Sequence, residues 1–139
     1  MALSRLILDI FDLAFDDYEY GDLLKRQIPF LSQGDQEHTG IGLFVYFNGE
    51  KGIEQYKVPT GLVSSFDIER NPIEMLNGVE MENEGLDILA DITVHLKNGF
   101  IDCLEIFNKN GKGYPTEEPA SYLLDQVWLD KSRRRTIVR

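Results

Sequence analysis

The chain has 139 residues, 42% hydrophobic and 11% aromatic, enough apolar surface for one domain with its own core and too much for a disordered chain. A net charge of −10 argues against nucleic acid and anionic membrane as partners, and a single cysteine, Cys103, excludes an internal disulfide. No run approaches the ~20 apolar residues of a membrane span, and Asp9 interrupts the only early apolar stretch, so a soluble protein of the reducing cytoplasm is expected, without an export signal.

Leu3, Leu6, Ile7, Ile10, Phe11 and Ala14 recur at helical spacing, which predicts a helix over residues 3–15 with Ser4 as its cap; a short strand through Leu6-Ile7-Leu8 is the competing reading. Tyr20, Leu23, Leu24, Ile28 and Leu31 predict a second helix, shortened or kinked by Pro29. Residues 33–39 read as a polar loop. Residues 41–47 read as a strand with Leu43, Val45 and Phe47 on one face and Phe44 and Tyr46 on the other. A turn over residues 48–52 leads to an expected return strand at 54–58. Alternation of Val63, Phe66 and Ile68 against Asp67 and Glu69 suggests another strand over 62–70, ended by Asn71-Pro72.

Val79 and Met81 alternate with Glu80 and Glu82, predicting a short strand with an acidic outward face. Residues 87–97 and 100–107 flank Asn98-Gly99, the strongest short hairpin signal, because a type I′ turn needs positive φ at both central residues. A two-residue loop would pair Leu96 with Ile101, Val94 with Cys103, Ile92 with Glu105 and Ala90 with Phe107, and would set His95 opposite Asp102. Residues 108–118 form a loop, 121–129 a short helix, and 131–139 either a basic tail or a strand through Thr136-Ile137-Val138. No repeat or linker divides the chain. The expected fold is a single α+β domain, with N-terminal helices packed on a curved, mainly antiparallel sheet of about five or six strands.

Charge is unevenly spread. Residues 9–22 hold Asp9, Asp12, Asp16, Asp17, Glu19 and Asp22 with no base, and residues 71–96 hold Glu74, Glu80, Glu82, Glu84, Asp87 and Asp91 without Lys or Arg. All 24 acids but only 9 of the 14 bases fall in residues 1–130, whereas 131–139 carry five bases and no acid. Such a field accelerates association with a basic partner. Glu80, Glu82 and Glu84 form one candidate contact stripe. Asp16, Asp17, Tyr18, Glu19 and Tyr20 form another, because Tyr among acids resembles an interface able to grip a basic protein.

Catalytic signals are thin. Gly40-Ile41-Gly42 opens a strand instead of a helix and lacks the third glycine of a dinucleotide loop. His95 with Asp102 could orient a base, but no nucleophile stands beside them. Two histidines and one cysteine lack the spacing of a zinc site, and no calcium-loop pattern occurs, so neither metal nor cofactor is expected. In the two-residue register Glu105 lies on an apolar face; it is then paired, protonated or at a cavity rim, unless a bulge displaces the register.

The strings His38-Thr39-Gly40-Ile41-Gly42-Leu43-Phe44-Val45-Tyr46-Phe47 and Leu96-Lys97-Asn98-Gly99-Phe100-Ile101-Asp102-Cys103-Leu104-Glu105-Ile106-Phe107, with Gly113-Tyr114-Pro115, resemble small acidic bacterial immunity proteins of polymorphic-toxin and contact-dependent inhibition systems. The resemblance implies a cytoplasmic protein that is not an enzyme and that blocks a basic toxin domain by direct, stoichiometric binding; it assigns no residue and no oligomeric state. Two other readings stand beside it. One is a small enzyme or ligand-binding domain with a cavity near Glu105 or His95/Asp102, and the other a housekeeping protein-interaction module.

Overall fold

In the computed structural model, which describes residues 2–139, helix α1 (Arg5–Ala14) begins where the apolar stripe does. Ser4 caps it, its Oγ accepting a hydrogen bond from the Ile7 N–H, and Leu6, Ile7, Ile10, Phe11 and Leu13 are buried along its length. Helix α2 (Gly21–Gln27) gives way to a 3₁₀ turn, Ile28–Phe30, because Pro29 offers no N–H to continue the ladder.

Eight strands follow: β1 (Leu31–His38), β2 (Gly42–Gly49), β3 (Ser65–Phe66), β4 (Pro72–Asn83), β5 (Ile88–Lys97), β6 (Phe100–Asn108), β7 (Leu123–Gln126) and β8 (Thr136–Val138). They form one antiparallel sheet in the order β1-β2-β6-β5-β4-β7-β8, with β3 paired to the start of β4. Helix α1 packs against β4 and β7, and α2 against β6. The core lies between them, where Val45, Val79, Met81, Ala90, Ile92, Val94, Leu104, Ile106 and Leu124 meet the α1 stripe.

The α+β class and the antiparallel sheet match expectation, but several elements do not. Residues 33–39, expected as a loop, belong largely to β1; as an edge strand beside solvent it needs no apolar alternation. The expected strand at 54–58 is a 3₁₀ turn, Ile53–Tyr56. Residues 62–70 contribute only Ser65–Phe66 to the sheet, since Leu62 and Ile68 have nothing to pack on. The expected helix at 121–129 is strand β7, which alternates half-buried Leu123 and Asp125 with buried Leu124 and Gln126. The C-terminal residues form β8, so the sheet has eight strands rather than five or six.

The Asn98-Gly99 turn forms with φ of 55° and 81°. A side chain at Gly99 would strike the Val58 carbonyl oxygen, and Val58 N–H donates to the Gly99 carbonyl at 3.0 Å, so both backbone angle and close approach demand glycine. Leu96 pairs with Ile101 as expected, but a bulge then moves the register by one: His95 opposes Cys103, Thr93 opposes Glu105 and Ile92 opposes Ile106. The Ile101 N–H beside this bulge donates to Oε1 of fully buried Gln27, whose amide also donates to the Tyr56 and Gly99 carbonyls. One α2 side chain thus ties the helix to the turn and settles a register that local pattern cannot. Glu105 consequently leaves the apolar face for the uncovered face of the sheet.

Candidate functional site

On that uncovered face, Glu105 Oε1 stands 3.1 Å from His95 Nε2, not in a cavity, and Asp102 occupies the bulge instead of opposing His95. The stacked rings of Phe44 and Tyr46 lie on the same face. Cys103, between His95 and Tyr46 in the ladder, is buried; burial, aided by Asp102 and Glu105, pushes its thiol up to about 12, so it is protonated at neutral pH and no thiolate serves as nucleophile. Among the described residues no group of three or more His, Cys, Asp or Glu side chains is placed to hold a metal ion.

The acidic clusters fare differently from one another. The arginines of the C-terminal segment reach back across α1 and neutralise much of the first. Arg139 donates from Nε and Nη2 to the Asp9 carboxylate at 2.9 Å each, and Tyr122 Oη adds a third bond at 2.7 Å. Together these outweigh burial and hold Asp9 below the ordinary carboxylate range. Arg135 spans Asp16 (2.7 Å) and Asp12 (2.9 Å), and Arg133 pairs with Asp17 at 2.8 Å. Burial raises Asp16, but its bonds to Arg135 and Gln126 win and its pKa falls. In the second cluster Glu80 and Glu82 point outward from β4 while Glu84 sits in the 3₁₀ turn Glu84–Leu86. Lys109 bridges Glu80 (2.6 Å) and Asp91 (3.0 Å), which interrupts the stripe.

Two of the acids left without an ion pair among the described residues, Glu19 and Glu74, line a cleft. Tyr18, Glu19 and Tyr20, in the α1–α2 connection, face Leu62, Ile73, Glu74 and Met75 across a cleft of about 580 Å³. Tyr18 Oη donates to Glu74 Oε2 at 2.9 Å, and burial together with that carboxylate raises the phenol's pKa, so it stays a donor. The Tyr18 and Tyr20 rings meet edge-on at 6.0 Å. A second hollow of about 170 Å³ shares Tyr18 and Met75 with the first and is bounded by Asp16, Asp17 and Trp128. The five residues 16–20 therefore line a groove made of two adjoining hollows, Asp16 and Asp17 the smaller, Glu19 and Tyr20 the larger and Tyr18 both, whereas Glu80, Glu82 and Glu84 border neither.

The segment 59–71, whose first part (Pro59 and residues 61–65) lines the cleft and whose second part runs on beyond it, is unusual. Leu62 is 95% and Ile68 98% exposed, as bare as in an unfolded chain. Yet the segment is firmly built: Asp67 Oδ1 accepts from the Glu69 and Asn71 N–H groups, Oδ2 accepts from the Asn71 amide, and Arg70 lies 5.3 Å from the Phe66 ring centroid. Those bonds from Asn71, and that from Glu69, hold Asp67 low in pKa. Sequence reasoning missed the exposure of Leu62 and Ile68, because alternation around Phe66 imitates a strand, and took Glu74 only as one acid of the 71–96 stretch. The bracketing turn signals, Pro59-Thr60-Gly61 and Asn71-Pro72, were the available clue.

Under the sheet a narrow cavity of about 70 Å³ is lined by Leu6, Ile7, Val45 and Tyr114, whose buried hydroxyl has no hydrogen-bond partner among the described residues. Neither Glu105 nor His95 borders any of these three spaces. No helix among the described residues is long and apolar enough to cross a membrane. Comparison with protein-family models, curated proteins and solved structures yields no match.

Proposed function

We propose that this chain is a stoichiometric inhibitor of the immunity type, which silences a basic toxin domain by binding it through the Tyr18–Met75 groove and the 59–71 segment. The observation that carries the reading is the pairing of a hydrogen-bonded, pre-shaped segment with bare Leu62 and Ile68 at its surface. Exposed apolar side chains on a fixed backbone gain about 25 cal/mol per Å² when a partner covers them, and little ordering entropy opposes that gain. Tyr18 and Tyr20 in the same cleft as Leu62, and Trp128 in the adjoining hollow, are the residue types that dominate interface energetics. The charge of −10 steers a cationic partner toward the molecule, and Glu19 and Glu74, which have no ion-pair partner among the described residues, place part of that field at the groove.

Neutralising a toxin by occupancy requires about 1,600 Å² of contact and no turnover. Titration with the product of the gene upstream of this chain's own, where the reading expects a toxin domain, tests it. A 1:1 complex is expected, weakened at least a hundredfold in the Leu62→Asp/Ile68→Asp double variant, which should remain folded because neither side chain packs on anything. A complex that forms equally well with the double variant, or no complex, contradicts the proposal.

A further inference from the structure

We infer that the groove receives one arginine side chain from the bound protein, with Glu74 as its principal carboxylate. The inference rests on the protein-binding reading and names the chemistry recognised at that site. No Lys or Arg lines either hollow. Of the bases around it, Lys25 pairs with Asp16, Arg133 with Asp17 and Arg70 lies over Phe66, while Lys97, opposite Ile73 in the β4–β5 ladder, lines neither hollow. Half-buried Glu74 and exposed Glu19 thus border the groove with no countercharge lining it, and a carboxylate at such a cleft favours an incoming cation.

Geometry selects among cations. Tyr18 Oη engages only Oε2 of Glu74, fixing the carboxylate while leaving Oε1 and the free lone pairs for a donor fork. The edge-on Tyr18–Tyr20 pair offers a ring face at the same place. A guanidinium satisfies both at once, donating in its plane to a carboxylate while its face stacks on an aromatic ring; an ammonium is a compact, strongly hydrated charge without a flat face. Leu62, Ile73 and Met75 supply an apolar wall for the three-carbon stem. Tyr18 is the positioning residue in this arrangement and Glu74 the contact.

The experiment uses the isotope-labelled whole chain and Nα-acetyl-arginine amide as probe, followed by NMR. Expected are saturable shifts confined to residues 16–20, Leu62 and residues 73–75, with millimolar affinity. Nα-acetyl-lysine amide should bind at least threefold more weakly, and Nα-acetyl-norleucine amide should produce no saturable shift. Glu74→Gln keeps the side-chain shape and should weaken arginine amide at least fivefold; Glu19→Gln, on the opposite wall and away from the Tyr18 bond, should weaken it about twofold.

Tyr18→Phe should reduce the preference for arginine over lysine, a readout that simple loosening of the fold would not produce selectively. The inference is overturned if the probe leaves the groove unshifted, if Glu74→Gln binds it as the parent does, or if lysine amide equals arginine amide. Free arginine binding tenfold tighter than its blocked amide would also overturn it, by making the groove a small-molecule pocket. A parent chain that binds the probe while toxin binding ignores Leu62→Asp/Ile68→Asp would sink the immunity reading alone. Toxin binding sensitive to those substitutions but not to Glu74→Gln would sink this inference alone.

Discussion

Asp9→Asn should unfasten the C-terminal strand from α1. Asp9 is only 7% exposed and receives three hydrogen bonds, from Tyr122 Oη at 2.7 Å and from Arg139 Nε and Nη2 at 2.9 Å. The amide keeps one oxygen: in the Oδ2 place it retains the bonds from Tyr122 Oη and Arg139 Nε and turns its NH₂ against Arg139 Nη2, losing one bond and the carboxylate charge that strengthened the other two. A hydrogen bond to a charged group contributes about 1.5–3 kcal/mol, and Arg139 is 40% exposed, so water recovers much of its share. The expected loss is about 2–3 kcal/mol, or roughly 8 °C in Tm for a domain of this size.

Arg133→Ala, which removes a pair exposed on both sides, should cost under about 0.5 kcal/mol. The pKa of Asp9 is lower in the folded than in the unfolded chain, so its contribution is complete above about pH 5 and declines as pH falls through 3.8 toward the folded value. Urea denaturation of parent and variant across pH should therefore show a constant gap from pH 5 to 8 that narrows below about pH 4. A gap under 0.5 kcal/mol at pH 7, or one that widens in acid, refutes the clasp.

Gly99→Ala should destabilise by about 3 kcal/mol, the sum of a left-handed backbone cost and a clash with the Val58 carbonyl, and a Tm within 3 °C of the parent would contradict that. Inserting one residue between Asn98 and Gly99 should be more damaging still, since every apolar side chain beyond it changes face; unchanged thermal unfolding would show that the hairpin is not a framework element. Cys103 should resist iodoacetamide at pH 8 in the folded chain and react on unfolding, and rapid native-state alkylation would disprove its burial. Replacing Glu82 and Glu84 by Gln should slow toxin association only a few fold and only at low salt, because they stand away from the groove; a large change in dissociation rate would relocate the interface.

Much of the local structure was legible in the sequence. The α1 stripe repeats at helical spacing behind a capping serine, and Asn-Gly between apolar strands can hardly be anything but a hairpin. What escaped depends on partners distant in the chain. The bulge at Asp102 follows from Gln27, 74 residues from Ile101, taking its N–H. The sheet edge at β1 is polar because one side meets water, so alternation gives no signal there. The acids of residues 9–22 read as a free charged surface, yet arginines more than a hundred residues away engage four of them, Asp9, Asp12, Asp16 and Asp17.

The groove was half visible. Tyr18 and Tyr20 amid acids marked one wall, since aromatic residues among charges are informative wherever they fall. The opposite wall, with Leu62, and Ile68 beyond it were hidden, because both look like core residues until the fold leaves them uncovered. Composition alone cannot separate an apolar side chain that has a core to enter from one that awaits a partner.

Hydrogen–deuterium exchange of the chain with and without the proposed toxin partner tests the central claim most directly, because it reports where the partner sits without altering either protein. The account predicts slowed exchange in residues 15–22 and 60–76, with the uncovered sheet face around Phe44, Tyr46, His95 and Glu105 unchanged. Protection centred on that sheet face, with the groove exchanging as in the free protein, would contradict it.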